Sequence, residues 1–172
     1  LIAAAAAAAA LSACVGLPPK TDILERTEGF KAQTVAVAAL TGDDRGDVAA
    51  AHALADAARG AGLHASSLED AEAGLAGTAI SLDTLSDPRL LAQIRAATGA
   101  DAVVLLTWQA GGASARLDAL DAQSGDSVLR ATLTPRGAPF ADAKAAARAA
   151  EGALSTLAGR PPQAHLDDLP VP

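Results

Sequence analysis

Apolar residues along this chain come in blocks whose spacing changes, and each spacing predicts an element. Thr34–Leu40 (TVAVAAL) is a short apolar run with two valines, closed by the turn-prone TGDD. That length and composition predict a buried strand. Over 42–62 the period becomes helical: Val48, Ala51, Leu54, Ala55 and Ala58 recur on one face. Asp44 or Asp47 is placed to cap the start, and Gly60 or Gly62 to end the helix. LHASS (63–67) predicts a second strand. Residues 69–85 read as a short helix containing Gly74 and Gly77, followed by a strand over 79–82.

The pattern sharpens in the second half. SDPRLLAQIRAATG (86–99) predicts a helix, with Ser86 or Asp87 as cap and Pro88 in the first turn. Leu90, Leu91, Ile94 and Ala97 face inward, and Gly99 stops it. ADAVVLLTW (100–108) is continuously apolar, as a central strand buried on both faces would be. QAGGAS (109–114) is a loop. Residues 115–122 and 127–133 flank QSGD (123–126) as a hairpin, with Leu117 and Leu120 on opposite faces. The alanine-rich 141–157 predicts the last helix. This order predicts an α/β sandwich of two or three layers. Its mixed sheet has one parallel crossover region, one antiparallel hairpin and about three helices.

Both ends depart from that pattern. Residues 1–11 are apolar and uncharged. They have the length of a signal-peptide core and fall short of the roughly 20 residues that a membrane-spanning helix needs. Leu11-Ser12-Ala13-Cys14 follows at once and resembles the lipobox of bacterial lipoproteins. That resemblance implies cleavage before Cys14, a diacylglycerol on its sulfur and a further acyl chain, such as palmitate, on its amine. Several chains at about 0.8 kcal/mol per buried methylene make a lasting anchor. Val15, rather than an aspartate, follows the cysteine, which by the same resemblance implies the outer membrane. The expected organisation is a signal peptide (1–13), a lipidated cysteine and flexible tether (14–33), an α/β domain (34–158) and a disordered proline-rich tail (159–172). Such a tether would span roughly 25 Å on average and about 60 Å at full extension.

Composition narrows the partners. Hydrophobic residues make up 51% of the 172, but aromatics only 2%, so Leu, Val, Ile and close-packed Ala must build the core. The net charge of −7 argues against a nucleic-acid partner and against an electrostatic grip on anionic lipid. One cysteine permits neither an internal disulfide nor a Cys-rich zinc site.

The element order also resembles the curli secretion lipoprotein (CsgG) family and the penicillin-binding-protein activator (LpoB) lipoproteins. The resemblance runs over about 34–157 and is carried by TVAVAAL, VAAAHALADAARGAG, TGADAVVLLTW, DAQSGDSVL and the final helix. It implies a periplasm-facing domain and argues for fold, since these residues shape turns and strands. Membrane-crossing hairpins of alternating 9–11-residue strands, which a pore would need, are not seen in the sequence.

Residues able to carry chemistry are scattered. His52 has Asp56 one helical turn on, without a second spaced ligand set. GDDRGD (42–47) gathers three aspartates around an arginine, yet lacks calcium-loop spacing and reads as a polar strand-to-helix loop. Asp118 and Asp121 flank a hairpin without forming an acid/base pair. QAGGASA lacks the lysine of a phosphate loop. A lipidated Cys14 is no nucleophile. The expectation is a protein that is not an enzyme and that takes no cofactor and no metal. Trp108 beside Gly111 and Gly112 is the candidate binding anchor, set against a role in closing the core. The expected function is an outer-membrane-anchored periplasmic lipoprotein that binds or assembles with envelope proteins or with itself. The alternative is a small-ligand accessory lipoprotein of a transport system, with a pocket near Trp108 and His64.

Overall fold

The computed structural model describes residues 18–71 and 80–160. Its elements in chain order are β1 (Lys20–Arg26), β2 (Thr34–Leu40), α1 (Asp44–Gly60), β3 (His64–Ser67), α2 (Leu82–Leu85) and α3 (Pro88–Thr98). Then come β4 (Ala102–Thr107), β5 (Ala115–Asp121), β6 (Ser127–Thr134), α4 (Ala143–Arg148) and α5 (Glu151–Leu157). The strands form one sheet in the order β1-β6-β5-β4-β2-β3. β2 pairs parallel with β3 and β4, whereas β4–β5, β5–β6 and β6–β1 are antiparallel. The mixed α/β sheet expected from the sequence is therefore present.

Strand parity divides the core. Val35, Val37, Ala102, Val104, Leu106, Leu117, Leu129 and Leu133 face one way, against α1, α4 and α5. Ala36, Ala38, Val103, Leu105 and Leu120 face the other, against Leu85 of α2 and Leu90, Leu91 and Ile94 of α3. The domain is thus three-layered, and β4 is buried on both faces as its continuous apolar run requires. Leu117 and Leu120 fall into opposite clusters, as expected.

The caps follow from local chemistry. Asp87 accepts from the Arg89 amide, Pro88 opens α3, and Gly99 closes it at φ 68, a left-handed value that suits glycine. At α1 the cap is Asp43, which accepts from the Gly46 amide, and not Asp44 or Asp47. Asp47 instead accepts from the Thr41 amide and, at 2.7 Å, from its hydroxyl.

Three further expectations are corrected. The segment read as a flexible tether contains β1, which runs against β6 from Lys20 opposite Thr134 to Arg26 opposite Leu129. The register slips between Ile23 and Glu25, leaving Leu24 in a bulge. The last helix is two, since 149–150 form a turn between α4 and α5. Of the strand expected over 79–82, Ser81 and Leu82 instead begin a helical turn, α2, opened by reciprocal Ser81–Thr84 capping. Residues 72–79, part of that expected helix and strand, lie outside the described residues. So do the signal peptide, Cys14 and most of the proline-rich tail. Gly159 and Arg160, placed in that tail, still bond back to α5 through the Thr156 and Ser155 carbonyls.

Candidate functional site

One candidate lies at the end of the sheet where the parallel strands finish. Chain connections leave β2 and β3 on opposite faces there, the arrangement that opens a crevice in α/β sheets. The Trp108 amide bonds to the Leu40 carbonyl at 2.9 Å, joining the two strand ends. The indole continues the parity of Ala102, Val104 and Leu106, so it packs into the α1 side of the core and is 7% exposed. Its Nε1 has no hydrogen-bond partner among the described residues. Gly111 turns the following loop at φ 77, and a Cβ on Gly112 would meet the Gln109 carbonyl at 2.9 Å. Both glycines therefore shape the loop backbone, while Trp108 sits beneath it.

Trp108 and His64 do not share a pocket. His64 pairs with Thr34 at the start of β2, and Trp108 lies beyond the end of the same strand. Seven residues of extended chain separate them, roughly 20 Å. His64 is exposed at the sheet edge. His52 does not pair with Asp56: its Nε2 lies 3.2 Å from Asp70, while Asp56 holds Arg59 at 2.7 Å. His165 lies outside the described residues. An open groove of about 550 Å³ runs along Asp44, Arg45, Val48, Ala49 and His52 of α1 and Lys144 of α4.

A second candidate is the half of the sheet that α2 and α3 leave uncovered. On that face, paired residues form rows across four strands. One row reads Leu105, Asp118, Arg130, Glu25, and the next Thr107, Arg116, Thr132, Asp22. Each begins beside the core at β4 and becomes polar toward β1. Asp118 is only 2% exposed, because arginines flank it. Arg116 donates through Nε to one of its oxygens at 2.6 Å, and Arg130 through Nε to the other at 3.1 Å. Glu25 approaches Nη1 of Arg130 at 3.4 Å, and Lys20 pairs with Asp22 at 2.9 Å.

Sequence reading did not find this cluster. Asp118 and Asp121 indeed do different work: Asp121 accepts from the Gln123 amide at 2.7 Å and shapes the turn. The available signal was Arg116-x-Asp118, two charges at the spacing that puts them on one strand face. Arg130 joins them only through the β5–β6 register.

Fold and site together define a three-layer α/β domain with a charged sheet face and, at β1, an edge that no other described strand covers. No family model and no curated protein matches the chain. Among solved structures it is similar to the PelC dodecamer from Paraburkholderia phytofirmans. A point variant of that protein matches at 17% identity and a TM-score of 0.52, covering 83% of this chain and 99% of the other. A second crystal form matches at 15% identity and a TM-score of 0.47, covering 81% and 94%. At these identities the likeness is one of fold.

Proposed function

We propose that this chain is an outer-membrane lipoprotein, anchored through Cys14, whose domain faces the periplasm and serves binding and assembly, first of all with copies of itself. The observation that carries the assembly reading is the edge at β1. One side of that strand pairs with β6, and no other described strand covers its far side. Leu24 is 62% exposed and Ile23 38%, two of the three large apolar side chains exposed among the described residues. A strand edge bearing exposed apolar side chains is a template for another chain. The bulge at Leu24 interrupts the ladder, so contact is made through the Leu24 side chain more than through continuous backbone pairing. The fold likeness to a chain solved as a dodecamer supports the same reading, as does the sequence resemblance to envelope lipoproteins.

Light-scattering mass measurement on the chain from Val15 onward tests it. The expected mass is a multiple of one chain, and Leu24→Lys shifts it toward the monomer. A wild-type domain that stays monomeric at high concentration overturns the assembly reading.

A further inference from the structure

The geometry points to a binding site for a small oxyanion, a carboxylate or phosphate group, at Arg116 and Arg130 on the open sheet face. Both arginines reach Asp118 through Nε, not through the terminal nitrogens. A guanidinium carries five N–H donors in a planar fork. Among the described residues no hydrogen bond takes the terminal nitrogens of Arg116 or Nη2 of Arg130, so these remain to receive a ligand. The two side chains are half exposed, at 50% and 40%, while the carboxylate between them is not. Asp118 is the positioning residue: one buried carboxylate fixes two guanidinium groups side by side.

Charge favours an anion here. Asp118 balances one of the two arginines and Glu25 faces the other, so the triad offers one net positive charge to an anion that displaces Glu25. Among the described residues Glu25 is the only other carboxylate on Arg130, and at 3.4 Å on an exposed strand it is the group a ligand would displace. Thr107 and Thr132 stand on either side of Arg116 in its row and add hydroxyls. Stability alone does not call for this arrangement. Burying a carboxylate beside Leu105 is unfavourable, and apolar replacements of buried ion pairs are often neutral or stabilising. Held arginines are the gain that the arrangement offers.

The test is calorimetric titration of the folded domain with inorganic phosphate and, separately, with citrate. Saturable binding of either is expected, and which one binds assigns the group. Arg116→Gln and Arg130→Gln should each weaken it by about tenfold, the loss of one charge-assisted contact. Arg95→Gln, on α3, should leave it unchanged. Glu25→Gln should tighten binding by removing the competing negative charge, and as a surface change it keeps the test open if an arginine variant fails to fold. No saturable binding of either anion, or binding indifferent to Arg116, Arg130 and Glu25, overturns the site.

Discussion

Trp108 is the chain's single tryptophan, and its place makes it a reporter. Being 7% exposed, it should emit at short wavelength and resist acrylamide quenching. A red-shifted, readily quenched emission would mean that the indole leaves the core. Asp43 makes a sharper residue-scale case. Three aspartates lie within five positions, and the one with an extended backbone whose oxygen reaches the Gly46 amide is the cap. Asp43→Ala should therefore cost about 1 kcal/mol in urea unfolding, against a few tenths for Asp44→Ala. Choosing among the three needs a backbone angle that residue type does not supply. At α3 the sequence narrowed the cap to Ser86 or Asp87, next to Pro88, and the structure selects Asp87.

Among the elements, those with their own signal were read from the sequence. β4 announces itself by a continuous apolar run, α3 by Pro88, a helical stripe and Gly99, and the β5–β6 hairpin by QSGD. β1 had no such signal. KTDILER carries charges that face the open half of the sheet, and the bulge at Leu24 breaks the alternation that would mark a strand. Its structure is supplied by β6. A chain starting after Arg26 should accordingly be less stable than one starting at Pro18, by about 0.5–1.5 kcal/mol for each backbone hydrogen bond lost to β6. An unchanged urea midpoint would restore the tether reading of Lys20–Arg26. The break between α4 and α5 was equally hidden, since alanine on both sides gives no stop signal.

For the whole molecule, the ordered strand changes how close the domain would sit to the anchor proposed at Cys14. Only five residues lie between Cys14 and the start of β1, at most about 20 Å of chain. Cys14→Ala should release the protein into the soluble periplasmic fraction, and continued fractionation with membranes would count against the anchor. The mixed α/β sheet was legible because helix and strand periods alternate along the chain, whereas the choice between two and three layers was not. The charged face was not, because it depends on where α2 and α3 stop and on registers that bring four strands into common rows.

The scarcity of aromatics leaves a trace in mutational tolerance. Ala50, Ala51, Ala58, Ala146, Ala147, Ala150 and Ala153 are fully buried where α1, α4 and α5 meet one another and the sheet. Most domains are damaged chiefly by side chains made smaller. Here much of the interior is already at a single methyl, with helix backbones drawn close, so the damaging changes are enlargements. A saturation scan of these alanines should show glycine and serine tolerated far more often than valine or leucine, because an added branch has no rotamer that avoids the facing helix.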